Sequence, residues 1–162
     1  KISESSHELI DNLGELIWSH NPGNDTLIKL FTYVREHLSP VFEGTQTHFT
    51  LKIPEVTHDL EVPAIWRRNI FLVIKESLHN IIKHAKATEA SLEFRVQNNQ
   101  LEIVINDNGV GFNPDIQTHL GNGLTNLKKR IDECHGSLHI TSQVGQGTQI
   151  LVLVPGLNTT FM

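Results

Sequence analysis

The sequence predicts an α+β fold: a two-layer α/β sandwich in which a mostly antiparallel mixed sheet carries helices on one face, preceded by an N-terminal helix. Two pairs of segments alternate apolar and polar residues around turn sequences, at Asn98-Asn99 and at Gly145-Gln-Gly147, which is typical of β-hairpins. Residues 63–86 instead repeat apolar side chains at helical spacing. The resulting order of strand, helix, hairpin, helix and hairpin favours helices packed on one face of a sheet.

Two helices are expected before the sheet. Around residues 3–20, apolar side chains recur at intervals of seven, four and three, as in a short heptad seam, and Asn21-Pro22-Gly23 ends the helix. Two interpretations of this seam stay open: an ordinary core helix, or a helix that pairs with another one in a dimer. Asn24 or Asp25 is expected to cap a second helix that runs to about Leu38.

The remaining elements follow from the same periodicities. A strand is expected at His48–Ile53, where every second residue is apolar, and Pro63 begins a long helix that runs to about Lys86. The hairpins and the helix between them have the predicted ranges Ala90–Val96, Leu101–Ile105, Asn122–Cys134, Leu138–Thr141 and Thr148–Val154. We expect residues 23–157 to form one domain, with residues 1–22 as a separate helix and residues 158–162 as a frayed tail.

Composition limits the class of protein. The 162 residues are 38% hydrophobic and 19% charged, which suits one domain with a buried core. A net charge of −5 argues against a nucleic-acid or anionic-membrane surface. One cysteine, Cys134, excludes an internal disulfide and a thiolate metal cluster, and fits a reducing compartment. The apolar runs are far shorter than the roughly 18 residues of a membrane helix, and no signal-peptide pattern is present. Because Lys1 is not a usual first residue, we interpret the chain as a fragment.

Familiar nucleotide and metal motifs are missing from the sequence. There is no Gly-x4-Gly-Lys-Ser/Thr P-loop and no Gly-x-Gly-x-x-Gly dinucleotide fingerprint. Histidines are frequent, but His79 and His84 are five residues apart without a matching carboxylate or cysteine spacing, so a zinc site is not indicated.

The segment Phe71–Ala87 is the most informative part of the chain. With about 100° per residue in a helix, Asn80, Lys83 and His84 lie within roughly 80° of Glu76, and the apolar residues cluster on the opposite face. A carboxamide oxygen beside two basic groups is the environment that a magnesium-bound polyphosphate needs.

A second motif, Asp107-Asn-Gly-Val-Gly-Phe112, begins where a buried strand is expected to end. An ionised carboxylate only accepts hydrogen bonds, so Asp107 suits an exocyclic amine such as that of adenine. Gly109 and Gly111 are expected to take positive φ angles and to let a flat ring approach closely. A plain Asp-Asn-Gly turn is the alternative, but no strand pattern follows within the roughly two to five residues of a usual hairpin.

A third motif, Gly121-Asn-Gly-Leu124, begins the next predicted helix. Its unpaired N–H groups and the positive end of its dipole would form a phosphate site, and Gly121 and Gly123 carry no side chain to block it. A flexible helix entry is the alternative. The polar residues 113–121 between the two motifs are expected to be mobile without nucleotide and ordered with it.

These motifs together resemble the ATP-binding catalytic domain of bacterial sensor histidine kinases, which belongs to the Bergerat-fold ATPases with gyrase and the heat-shock chaperone ATPases. Residues 76–85 resemble the N box of that family. The resemblance implies that Asn80 ligates Mg²⁺ and that Lys83 and His84 lie near the phosphates of ATP.

The other motifs match the same family. Asp107-x-Gly-x-Gly111 matches the G1 box, whose aspartate binds the adenine amine, and Gly121-x-Gly-Leu124 matches the G2 box at the end of the ATP lid. Gly147-Thr148 matches the closing Gly-Thr pair, whose threonine supports the adenine aspartate. The resemblance covers about residues 46–155 and is specific as a combination of motifs.

Two segments narrow the subclass. The N-box sequence and the lid of about nine residues between Gly111 and Gly121 resemble kinases of the nitrate-sensor and desaturase-sensor type. Residues 12–22 resemble the second helix of their dimerisation and phosphoacceptor hairpin, so residues 1–22 are interpreted as that helix.

The phosphoacceptor histidine is expected to be missing from the fragment. In such kinases it lies on the first hairpin helix and precedes an acidic residue. His58-Asp59 has the right letters but lies in a proline-bounded polar segment after the seam helix. His7 and His20 lie on the seam helix without the acid-and-amide context.

The resemblance implies transfer of the γ-phosphoryl group of Mg-ATP to a histidine, with Lys83 offsetting developing charge and Glu76 orienting groups or accepting a proton. The implied partners are ATP, Mg²⁺, the phosphoacceptor helix of the same protein, a response regulator and a second copy in a homodimer. We expect a cytoplasmic domain of a membrane-anchored sensor that contacts neither nucleic acid nor membrane, and that binds ATP without phosphorylating itself. The alternatives are a Bergerat-fold ATP hydrolase, an anti-sigma-type serine kinase, or a non-catalytic ATP-binding module.

Overall fold

The structure, a computed structural model, describes residues 2–116 and 122–159. The predicted order of elements is confirmed within these ranges. Gly121 and most of the expected lid lie outside the described residues. The helices are α1 Ile2–His20, α2 Leu27–Leu38, α3 Ala64–Asn80 and α4 Gly123–Asp132, and the strands are β1 His48–Lys52, β2 Leu60–Glu61, β3 Glu89–Gln97, β4 Gln100–Asp107, β5 Ser137–Ser142, β6 Thr148–Val154 and β7 Asn158–Thr159.

The main sheet has five strands in the order β1-β3-β4-β6-β5. Strand β1 runs parallel to β3, and the other neighbours are antiparallel, so the prediction of a mostly antiparallel mixed sheet is confirmed. Asn98 and Asn99 both take positive φ angles, of 52° and 59°, as a tight hairpin turn requires. At the other end of β4, Asp107 pairs with Thr148, which brings two of the predicted site residues side by side.

The core lies between the main sheet and helices α2, α3 and α4. Alternate residues of β3, β4 and β6 are buried against the buried face of α3, and Phe31 of α2 lies on Phe94 of β3 with ring centroids 4.5 Å apart. The helix face predicted to be apolar is buried at Ile70, Ile74 and Leu78. Because this face is buried, the opposite face of α3, which carries Glu76 and Asn80, points away from the core.

Two expectations about the ends of elements are wrong. The cap of α2 is Thr26, whose hydroxyl accepts a hydrogen bond from the Lys29 amide at 3.4 Å, and not Asn24 or Asp25. The frayed tail is contradicted for β7, which pairs antiparallel with β2. Two-residue strands are too short to show a periodicity, so this second small sheet leaves no signal in the sequence.

Helix α1 is held to the rest of the chain near its C-terminal end. Trp18 stacks on Tyr33 of α2 with ring centroids 4.0 Å apart, and Glu15 forms an ion pair with Lys75 of α3. Arg67 of α3 is buried and donates hydrogen bonds to the carbonyl oxygens of Ser19 and, at 2.7 Å, of Val62. A guanidinium at the end of α1 satisfies carbonyl groups that have no partner within the helix.

The apolar seam of α1 lies on its outer surface. Four of its residues are each more than half exposed: Leu9, Ile10, Leu13 and Ile17. The interpretation of α1 as an ordinary core helix is therefore wrong for these residues. Among the described residues, no helix combines the length and apolar content needed to cross a membrane.

Candidate functional site

A cavity of about 590 Å³ opens between the end of α3, the ends of β4 and β6, and the start of α4. It brings together most of the residues that the sequence analysis singled out. Those that line it are Glu76, Asn80, His84, Asp107, Gly111, Gly123, Leu124 and Thr148. Residues from four separate motifs thus share one space. Gly109 packs behind this surface, and Lys83 does not line the cavity.

Lys83 is displaced from the predicted stripe because α3 does not continue as an α-helix. Residues Ile81–Ala85 form a π-helical turn, and Lys86 then takes a positive φ of 50°. A π turn contains more residues than an α turn, so the rotation per residue is smaller. The smaller rotation carries Lys83 away from Asn80 but keeps His84 on the same side as Asn80.

A neighbouring groove of about 890 Å³ receives Lys83. This groove lies between the first half of α1 and the outer faces of α3 and α4, and it shares Glu76 and Gly123 with the cavity. His7 of α1 also lines it. The two spaces are therefore adjacent, and the boundary between them is formed by residues predicted to act at the phosphate end of the site.

Asp107 lines the cavity and is half-buried. One carboxylate oxygen accepts a 2.8 Å hydrogen bond from the Gly109 amide, and the backbone N–H of Thr148 also donates to the carboxylate. Burial raises the pKa of Asp107, while these two N–H donors oppose that shift. The side chain keeps lone pairs for a donor from outside, which is the role predicted for it.

The positive φ predicted for both glycines after Asp107 is found at one of them. Gly111 has the expected positive φ, 60°, but Gly109 does not. A Cβ on Gly109 would lie 2.2 Å from the carbonyl oxygen of Ala85. A Cβ on Gly111 would likewise lie 2.1 Å from the carbonyl oxygen of Gln143. Both positions therefore need a glycine because another segment of backbone approaches closely.

Gly123 is different, because a Cβ built on it meets nothing within 4 Å. Packing within the described residues therefore does not require a glycine here. The open space lies at the first turn of α4 and faces both the cavity and the groove, as expected for a position kept clear for a ligand.

Sequence reasoning missed the apolar wall of the cavity. Ile105, Ile140 and Ile150 line it and are neighbours across three adjacent strands. Strand alternation could have found them, because Ile105 lies two residues before Asp107 and Ile150 two residues after Thr148. An apolar wall beside an acceptor-only carboxylate suits a flat heterocycle that carries an amine.

Two polar residues were also missed. Asn108 accepts hydrogen bonds at 3.0 and 2.9 Å from the amides of Thr88 and Glu89, which fixes the end of β4 to the start of β3. The hydroxyl of Ser142 lies 2.9 Å from that of Thr148. Asn108 is an unspecified position inside the Asp107-x-Gly-x-Gly111 motif and Ser142 lies outside the motifs, so spacing gave no reason to select either residue.

The side chain of Asn80 is suited to ligate a hard metal ion that also binds phosphate oxygens. Its side chain is half-buried at the cavity wall, and its carboxamide makes no hydrogen bond to another residue in the described ranges. Glu76 lies one turn earlier on the same wall and is exposed. An amide oxygen and a carboxylate are oxygen ligands of the kind that Mg²⁺ prefers, so the residues fit the metal that the N-box resemblance implies.

The fold and the cavity define a nucleotide-binding α+β domain, and comparisons with known proteins identify its family. Residues 67–158 match the family described as histidine kinase-, DNA gyrase B-, and HSP90-like ATPase. The chain belongs to this family of ATPases.

Curated proteins similar to the chain include a sensor histidine kinase and a sensor protein. The chain is 36% identical over 87 residues to the sensor histidine kinase LiaS of Bacillus subtilis, covering 54% of this chain and 24% of that protein. It is 32% identical over 110 residues to the sensor protein VraS of Staphylococcus epidermidis, covering 68% of this chain and 32% of that protein. The chain thus spans about a third or less of the curated relatives that it matches.

Solved structures agree on the fold. A histidine kinase domain from the blue-light activated histidine kinase of Erythrobacter litoralis superposes with a TM-score of 0.66 at 20% identity, covering 78% of this chain and 64% of that one. The ATP-binding domain of PrrB from Mycobacterium tuberculosis gives 0.61 at 18% identity, covering 81% and 94%.

Proposed function

We propose that this chain is the catalytic domain of a two-component sensor histidine kinase and that it transfers the γ-phosphoryl group of Mg-ATP to a histidine outside these residues. The observation that carries the proposal is the cavity itself. It joins a buried carboxylate, Asp107, to an unpaired carboxamide, Asn80, beside a helix that resembles part of a kinase hairpin. The sensor kinases among its relatives support the same assignment.

At the adenine end of the cavity, a carboxylate and an apolar wall favour binding of adenine. Asp107 accepts a hydrogen bond from the exocyclic amine, and its bonds from the Gly109 and Thr148 amides hold it in place. Ile105, Ile140 and Ile150 provide the apolar wall against which the ring packs. Packing of the ring against this wall excludes water, which strengthens the hydrogen bond between Asp107 and the amine.

At the phosphate end, the residues position charge. Asn80 would hold Mg²⁺, which offsets negative charge on the phosphate oxygens when bound. His84 lies on the same wall, while Lys83 approaches from the adjoining groove. The amides at the start of α4, around Gly123 and Leu124, face the same space and favour an anion. Glu76, at the boundary of cavity and groove, orients the incoming histidine or accepts its proton.

The exposed apolar surface of α1 indicates which proteins and helices this chain would contact. Its seam residues Leu9, Ile10, Leu13 and Ile17 are unusually exposed for apolar side chains, which supports pairing with the phosphoacceptor helix and with a second copy in a homodimer. A response regulator would take the phosphoryl group from the histidine. We place the domain in the cytoplasm of a membrane-anchored sensor, where ATP is available.

A transfer assay tests the proposed function. The chain is incubated with γ-labelled ATP, Mg²⁺ and a phosphoacceptor hairpin supplied in trans, with the Asn80→Ala variant as the negative control. Acid-labile, base-stable label on the hairpin is expected. Acid-stable label would instead indicate a serine kinase, release of inorganic phosphate alone would indicate a hydrolase, and binding with neither would indicate a non-catalytic module.

A further inference from the structure

The hydroxyl of Ser142 contacts three residues at or next to the cavity wall. It accepts a 2.9 Å hydrogen bond from the amide of Phe112, where the lid begins. It donates a 3.0 Å bond to the carbonyl oxygen of Gly147, and it lies 2.9 Å from the hydroxyl of Thr148. Ser142 is the last residue of β5 and pairs directly with Thr148 in the sheet.

Only one arrangement of the two hydroxyl hydrogens satisfies all three contacts. The Phe112 amide can only donate and the Gly147 carbonyl can only accept, so the single hydrogen of Ser142 points at Gly147. The Thr148 hydroxyl must then donate its own hydrogen to Ser142. Its oxygen keeps only lone pairs, and Thr148 lines the cavity beside Asp107.

We propose that Ser142 is a positioning residue that sets nucleotide specificity: it holds the Thr148 hydroxyl as a hydrogen-bond acceptor and thereby rejects 6-oxo purines. The inference rests on the proposed function, because it concerns the purine at the same site. Asp107 and Thr148 then present acceptors only. The 6-amino group of adenine donates to such a surface, whereas the 6-oxo group of guanine or hypoxanthine faces it with another acceptor.

Removing the Ser142 hydroxyl frees the hydrogen of Thr148. The Thr148 hydroxyl can then rotate and donate to a 6-oxo group, so discrimination between the two classes of purine falls. A residue with only a structural role would instead weaken the binding of all nucleotides in the same proportion. The ratio of two affinities therefore separates the two roles.

The experiment compares ATP with inosine triphosphate, whose base carries a 6-oxo group in place of the amine and an N1–H in place of the unprotonated N1 of adenine. Calorimetric titration gives the affinity ratio for the wild type, for Ser142→Ala, for Ser142→Thr, which keeps the hydroxyl, and for Thr141→Ala as the control at the exposed neighbouring position. We expect Ser142→Ala to lower the ratio roughly five- to tenfold, and the other two variants to keep the wild-type ratio. If the alanine variant does not fold, Ser142→Cys, a weaker donor, serves for the same measurement.

A second comparison tests whether Ser142 acts through Thr148. In a Thr148→Val background the hydroxyl is absent, so adding Ser142→Ala should leave the ratio unchanged. A ratio that still falls in this background, or an equal loss of both affinities in Ser142→Ala alone, overturns the inference while leaving the proposed function intact. A wild type that binds neither nucleotide overturns the proposed function as well.

Discussion

The backbone amide of Val110 donates a 2.7 Å hydrogen bond to the carbonyl oxygen of Ala85. This bond ties the loop after β4, which follows Asp107, to the end of the helix that carries Asn80. Gly109 makes the contact possible because any Cβ there would lie 2.2 Å from the same carbonyl oxygen. This backbone contact fixes the proposed adenine end of the site relative to the proposed phosphate end.

Gly109→Ala should therefore destabilise the fold and weaken ATP binding together. Relieving the clash requires a shift of the backbone, which costs about 1–3 kcal/mol in a well-packed region. The free energy of unfolding, measured by urea denaturation, should fall by that amount, and the ATP affinity should fall with it.

The matched control is Gly14→Ala on the exposed surface of α1, where a Cβ meets nothing within 4 Å. This change should leave ATP binding unaltered and stabilise the helix by up to about 1 kcal/mol. If both alanines have the same effect, the close approach of Gly109 to Ala85 is not what constrains this position.

Part of the candidate site could be predicted from the sequence, and part of it could not. Asp107, Asn80 and Thr148 could be selected because their chemistry is carried by side-chain type and position in a motif. The position of Lys83 could not be predicted, because the π turn depends on which backbone hydrogen bonds form at the end of α3. The pattern of apolar residues in the sequence does not reveal that choice. Ser142 could not either, because its role depends on strand pairing with Thr148, which a pattern along one strand does not reveal.

Asp107→Asn should abolish the preference for ATP over GTP and lower ATP affinity. The amide replaces one acceptor by a donor, and the resulting mismatch with the adenine amine costs about 1–3 kcal/mol, each 1.4 kcal/mol being roughly tenfold in affinity. Calorimetric titration of ATP and GTP into both proteins measures it, with Asp132→Asn at the exposed end of α4 as the control. An unchanged ATP affinity in Asp107→Asn would count against the adenine assignment.

The same substitution should not lower the stability of the nucleotide-free protein at neutral pH. Burial raises the pKa of Asp107 above its ordinary 3.8. A carboxyl group with a raised pKa binds its proton more tightly in the folded state, so its contribution to stability is present below the unfolded pKa and is lost as pH rises through the folded pKa. Asparagine carries no charge and avoids this loss.

We therefore expect Asp107→Asn to unfold at the same temperature as the wild type or higher at pH 7, with the difference shrinking below pH 3.8. Thermal unfolding across this pH range checks the prediction. A variant that is markedly less stable at pH 7 would show that the hydrogen bonds from Gly109 and Thr148 outweigh the cost of burying the charge.

Asn80→Ala should remove the magnesium dependence of ATP binding. The half-buried carboxamide has no partner among the described residues, so its loss leaves no unsatisfied group and the thermal stability should change little. ATP affinity measured with Mg²⁺ should fall to the value measured with a chelator. The control is Asn12→Ala on α1, which lines the neighbouring groove and should keep the full effect of Mg²⁺; if Asn80→Ala keeps it too, the metal is held elsewhere.

The chain alone should bind ATP without labelling itself. Phosphoryl transfer requires the nucleophile within about 3–3.5 Å of the phosphorus, in line with the leaving oxygen. On α1, the Nδ1 atoms of His7 and His20 lie 2.7 and 2.9 Å from backbone carbonyl oxygens of the same helix, which engages one ring nitrogen of each and leaves Nε2. The expectation therefore rests on their sequence, which lacks the acid-and-amide context of the acceptor. His58 precedes Asp59, whose carboxylate accepts a 3.2 Å bond from the Ile28 amide at the start of α2. The acidic neighbour of His58 therefore has a structural role and does not mark an acceptor.

Incubation of the chain with γ-labelled ATP and Mg²⁺, followed by a search for acid-labile and base-stable label, measures this directly. We expect labelling far below one phosphoryl group per chain, rising when the phosphoacceptor hairpin is added, with the new label on the hairpin. Stoichiometric labelling of the chain alone would refute the claim that the acceptor lies outside these residues. The variants His58→Ala and His7→Ala would then identify the acceptor, His7 because it lines the groove that adjoins the phosphate end of the cavity. Loss of label in one of them and not in the other would locate the nucleophile, because each substitution removes one ring and leaves Asn80 and Asp107 in place.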